Sequence, residues 1–82
     1  MEENNIITDI RIFIETHILA PGIKLDEETN LQNAGVDSFS TVEIILFIER
    51  NYSIAIPDDQ LMPENFKTLR SLARLVNKLS AQ

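Results

Sequence analysis

Chemistry in this chain concentrates in Asn33-Ala34-Gly35-Val36-Asp37-Ser38-Phe39-Ser40-Thr41-Val42-Glu43. The stretch reads as a loop that turns into a helix, with a serine at the junction. Gly35 permits a tight turn. Asp37 is a good N-cap, which makes Ser38 the first helical residue. Ser40 and Glu43 also fit a capping box, so a slightly later start is open. Either start leaves Ser38 among unpaired backbone N–H groups at the positive end of a helix dipole, where an attached anion is stabilised. Ser38 is therefore a start signal or an attachment point for a phosphate-linked group.

Other chemistries find little support. His17 is the only histidine and there is no cysteine, so disulfides and the usual zinc ligand sets are not expected. A serine hydrolase would need His17 to meet Ser38, in a chain too short to offer much of a cleft. Gly22 and Gly35 are the only glycines, so there is no phosphate-binding glycine loop. Asp26, Glu28 and Asn30 superficially resemble a calcium loop, but Leu31 stands where that loop requires glycine. The expectation is a protein without catalysis or metal.

Eighty-two residues make one small domain, taken as 1–82. Net charge is −6 and uneven: residues 1–64 hold all 13 acids and three bases, and residues 65–82 hold four bases and no acid. An acidic body argues against nucleic acid and favours partners with basic docking surfaces. No apolar run approaches a membrane span. The acidic, polar start Met1-Glu2-Glu3-Asn4-Asn5 is unlike a secretory signal, which points to the cytoplasm.

The elements that must position Ser38 follow from periodicity. Ile6, Ile7, Ile10, Phe13, Ile14 and Ile18 predict a helix over about 3–19, stopped by Ala20-Pro21-Gly22. Residues 20–37 form a long connection without period, in which Leu25, Leu31 and Val36 plug the core. A connection this long is usually functional. A second helix spans about 38–51. Thr41, Ile44, Ile45, Ile48 and Tyr52 make its core stripe, but residues 44–48 are all apolar and cannot share one stripe. Phe39, Leu46 and Phe47 therefore fall on or near the other side, beside Glu43 and Arg50. That side is either a binding face or a second packing surface.

Residues 53–57 are a short extended link. One or two helical turns fit in 58–62, ended by Pro63. Thr68 caps a last helix to about 80, with Leu69, Leu72, Ala73, Val76 and Leu79 buried and Arg70, Arg74 and Lys78 on a solvated face. The sum is an all-α fold: a small antiparallel bundle of three main helices plus one short helix before the last. The loosely built 53–66 segment is expected to be among the less stable parts.

Gly35-Val36-Asp37-Ser38-Phe39 resembles the attachment motif of acyl carrier proteins, commonly Gly-x-Asp-Ser-Leu. The likeness continues through Thr41-Val42-Glu43, Ile54-Ala55-Ile56-Pro57-Asp58 and Phe66-Lys67-Thr68-Leu69, covering about Ile6 to Leu79. It implies a non-catalytic, monomeric carrier whose Ser38 bears 4′-phosphopantetheine, transferred from coenzyme A by a phosphopantetheinyl transferase that Asp37 helps recruit. The arm's thiol would hold an acyl group as a thioester. Implied partners are activating ligases, synthases and acyltransferases, docking on Phe39, Glu43, Leu46 and Phe47. Ile56, Leu61, Met62 and Phe66 would line an acyl cavity or simply pack the core.

The chain departs from the pattern at Phe39, Ser40, Phe47 and Arg50, which make this face less acidic and more apolar than in fatty-acid-synthesis carriers. Polyketide, modified-lipid or other specialised pathways stay open. Asp37 through Val42 also resembles D-alanyl carrier proteins, which load an amino acid on the same arm. An unmodified helical adaptor is the remaining alternative.

Overall fold

The computed structural model describes residues 2–81; Met1 and Gln82, the ends of the expected domain, lie outside the described residues. Four α-helices and two 3₁₀ turns follow in order: α1 (Glu3–His17), α2 (Leu31–Ala34), α3 (Ser38–Tyr52), 3₁₀ turns at Asp58–Gln60 and Pro63–Phe66, and α4 (Leu69–Ser80). No strand occurs among the described residues, and the three long helices expected from periodicity are those that form.

α1 buries Ile6, Ile7, Ile10 and Ile14 along one stripe. It ends two residues earlier than expected. The Ile14 carbonyl accepts from both Ile18 N–H and Leu19 N–H, each at 3.0 Å, and Pro21 holds the next residues out of helical geometry. Leu19 folds back into the core instead of continuing the helix.

The connection after α1 is not structureless. Asn30 caps α2 by accepting from Asn33 N–H at 3.0 Å, and Gly35 ends it at φ +120°. Four residues are too few to show a period, which is why the sequence hides this turn. Leu25, Leu31 and Val36 are buried as expected. Asp26 and Asn30 turn their side-chain oxygens onto local backbone N–H groups.

Two further expectations are corrected after α3. Pro63 does not end the helical stretch; it opens a second 3₁₀ turn, where its missing N–H costs nothing. Arg70 does not face solvent. It reaches Glu3, Glu27 and Glu28, because the long connection passes directly beneath the start of α4. Leu75 joins the buried face of α4, whereas Leu79 is only half-buried. Thr68 and Ser71 form a reciprocal capping box at its start.

One core holds the elements together. Ten large side chains from α1, α2, α3 and α4 are under 2% exposed. α1 packs most extensively on α4, while α3 touches each of them more sparingly.

Candidate functional site

The turn into α3 is fixed from both sides. Val36 is buried, and its N–H donates to the Leu31 carbonyl at 3.0 Å, closing α2. One residue later the Asp37 carboxylate accepts from Ser40 N–H at 2.8 Å. Its backbone carbonyl accepts from Thr41 N–H and from the Thr41 hydroxyl, each at 2.9 Å. Asp37 is thus the N-cap, and the Ser40–Glu43 capping box does not form. The bond from Ser40 N–H is the main reason the Asp37 carboxyl is held below its usual range, with the Ser40 side chain second.

Ser38 is therefore the first helical residue and is exposed. The helix start leaves its own N–H and that of Phe39 without intrahelical partners. Ser38 also opens onto a groove of about 580 Å³. Asn30, Gln32 and Val36 form one wall, and Leu61, Met62, Pro63, Glu64, Phe66 and Lys67 form the other. Thr41 and Ile45 of α3 close its side. The exposed hydroxyl at the positive helix end, beside this groove, would accommodate an attached phosphate-linked group.

Of the residues expected to line a cavity, Leu61, Met62 and Phe66 do line this groove. Ile56 does not. It is buried in the core, and its N–H donates to the Glu49 carboxylate at 2.9 Å.

The two sides of α3 separate cleanly. Ile44 and Ile48 are buried; Thr41, Ile45 and Tyr52 are half-buried. Phe39, Val42 and Leu46 form an exposed ridge, at 74%, 53% and 43% exposure. Val42 was not singled out from sequence, although its place between Phe39 and Leu46 at helical spacing is the signal that finds it.

Phe47 lies elsewhere. Its ring stacks on Phe13 of α1 with centroids 4.3 Å apart and planes 13° from parallel. It fills the α1–α3 seam and shows an edge, with Glu43, Leu46 and Arg50, in a shallow cleft. The second packing surface expected of the five-residue apolar run is thus Phe47's, whereas Leu46 stays exposed. His17 stacks on the far side of Phe13, at the level of Phe47 and Asn51. Phe47 lies nine residues along α3 from Ser38, about 13 Å of helix rise, so the geometry offers Ser38 no general base from His17.

Residues 15–76 match the family model for a phosphopantetheine attachment site. Among similar proteins, aminoacyl carrier protein 1 of Bradyrhizobium diazoefficiens is 29% identical over 73 residues, covering 89% of this chain and 79% of the relative. The acyl carrier protein of Amoebophilus asiaticus is 35% identical over 74 residues, covering 89% of each. A solved structure of Bradyrhizobium japonicum glycine:[carrier protein] ligase, complexed with its cognate carrier protein and an analogue of glycyl adenylate, contains a matching chain. Its TM-score is 0.76 at 28% identity, covering 93% of this chain and 96% of that one.

Proposed function

The chain belongs to the phosphopantetheine-attachment family of carrier proteins, and on that premise we propose that Ser38 bears the arm and that its cargo is a small amino acid. A carrier of this family is not itself an enzyme; its covalent 4′-phosphopantetheine supplies the thiol that holds cargo as a thioester. This chain's residues hold the other end. Asp37 sets the helix start, Ser38 offers its hydroxyl beyond it, and the α3 N-terminus stabilises the phosphodiester charge.

The observation that carries the cargo class is the contrast between core and groove. The helical core is filled by aliphatic side chains that are almost wholly buried. The groove beside Ser38 is open to solvent and mixes apolar with amide and charged groups, which suits a short, polar, cationic cargo. The aminoacyl carrier relative and the structure with a glycine:[carrier protein] ligase support the same reading. An amino acid:carrier protein ligase is then the loading partner. The exposed ridge Phe39–Val42–Leu46, with Glu43 beside it, is its docking face. Phe47 contributes by supporting α3 from behind.

Intact mass after incubation with coenzyme A and a broad-specificity transferase tests the attachment. One phosphopantetheine should be added to the native chain and none to Ser38→Ala. The loaded arm is then offered glycine with ATP and a glycine:carrier ligase, or a medium-chain acyl donor with an acyl-ACP synthetase. Faster glycyl loading supports the aminoacyl reading. Faster acyl loading overturns it in favour of an acyl carrier, the class of the Amoebophilus asiaticus relative.

A further inference from the structure

The two walls of the Ser38 groove come from separate parts of the chain, residues 30–36 and 61–67, and they are joined at two points. Leu31 N–H donates to the Lys67 carbonyl at 2.9 Å, and Arg70 N–H donates to the Glu27 carbonyl at 3.1 Å. Both bonds tie the connection before α3 to the start of α4. Beside them the Arg70 guanidinium uses all three of its nitrogens. Nη2 reaches Glu27 at 2.7 Å, Nη1 reaches Glu3 at 3.2 Å, and Nε donates to Glu28. Glu28 is the foremost cause holding the guanidinium above its ordinary value. Arg74 reaches the other Glu3 oxygen at 3.3 Å. One side chain, three-quarters covered, thereby joins α1, the connection and α4.

Isolated surface ion pairs contribute little, but a guanidinium with three carboxylates is a network with fixed directions. Lysine carries the same charge without the planar fork. Asn30 and Gln32, which form one wall, lie two and four residues after Glu28, and Lys67, at the edge of the other, precedes Arg70 by three residues. Val36 N–H, bonded to the Leu31 carbonyl, carries any displacement of Leu31 to the turn before Ser38.

We propose that Arg70 is a positioning residue for the carrier site: by clasping Glu27 and Glu28 to α4 and Glu3, it sets the spacing of the groove walls and the direction in which the arm leaves Ser38. The proposal rests on Ser38 as the attachment residue. It concerns a residue that touches neither the arm nor the cargo.

The test compares the native chain with Arg70→Gln, Arg70→Lys and Leu79→Ala. The last loses packing at the far end of α4. Arm addition by a phosphopantetheinyl transferase is followed against carrier concentration, and amide exchange is read at Leu31. Arg70→Gln should lower kcat for arm addition by roughly tenfold while KM for the carrier stays within about twofold, the pattern of a misoriented attachment point. It should also speed exchange at Leu31. Arg70→Lys should fall between it and the native chain. Leu79→Ala should lower Tm yet keep the native kcat and the native exchange at Leu31. If Arg70→Gln, or Arg70→Lys should the first not fold, loses stability while kcat and Leu31 exchange stay native, Arg70 is only a structural brace and the proposal is wrong. Failure of the native chain to gain mass at Ser38 would instead sink the attachment reading on which the proposal stands.

Discussion

The α1–α4 half and the α3 half of the molecule are built differently. α1 and α4 pack closely through isoleucine and leucine stripes, and Glu3 pairs with Arg70 and Arg74 across the seam. α3 commits only one stripe to the core. Its remaining faces carry the exposed ridge, the Phe13–Phe47 stack and the groove shared with the 3₁₀ turns. The closed half supplies stability, and the open half keeps surface available for an arm and a partner. A small domain can expose this much apolar side chain only because the other half is so fully buried.

The comparison breaks most visibly under truncation. Leu72→Ala empties a fully buried site in α4 and should cost about 2–5 kcal/mol in urea unfolding. Leu46→Ala on the ridge should cost under about 0.5 kcal/mol while weakening ligase docking. Equal losses would mean that the ridge is structural.

Gly35→Ala probes the turn between α2 and α3. A Cβ there would meet Leu19 at an ordinary 3.5 Å, so the cost lies in the backbone at φ +120°. Unfolding should register roughly 1–3 kcal/mol, and arm addition at Ser38 should slow as well.

Hydrogen exchange sharpens the contrast without mutation. Amides in 53–66, where two 3₁₀ turns replace α-helix, should exchange at least about tenfold faster than those of α1 and α4. Protection there equal to that of α4 would erase the difference between the halves.

The smallest effects are those of pH. Burial first, and the bond to Asp9 second, push the Tyr52 hydroxyl up to about 12. A raised value favours the protonated, donating phenol in the folded state. Its contribution is fully present below pH 10 and is lost as pH climbs towards 12. Tyr52→Phe should flatten that part of a Tm–pH curve. Asp37 runs the other way: its lowered carboxyl supports α3 above the ordinary carboxylate range, and the support fades as pH falls below about 3.8. Asp37→Asn should remove this acid-side dependence.

Much of this was legible in the sequence. Isoleucine spacing marked α1, Asp37 and Thr68 marked two helix starts, and the junction placed Ser38 correctly at the first turn of α3. Three features were hidden, each for a physical reason. α2 is one turn long and shows no period. Phe47 and Leu46 are neighbours in sequence, yet only one of them meets Phe13, and that depends on where α1 crosses α3. Arg70 reads as a surface cation because its three carboxylates lie at least 42 residues away. Long-range polar contacts leave no local signature, whereas apolar periodicity does.

The hydrogen bond from Tyr52 to Asp9, 3.0 Å long, joins the end of α3 to α1. The chain has one tyrosine and no tryptophan. Its fluorescence therefore comes essentially from this one ring, and a carboxylate acceptor quenches a phenol. Emission intensity should then act as a built-in strain gauge for the α1–α3 seam. Loading of the arm, or docking of a ligase free of tryptophan signal, becomes readable without attaching any dye.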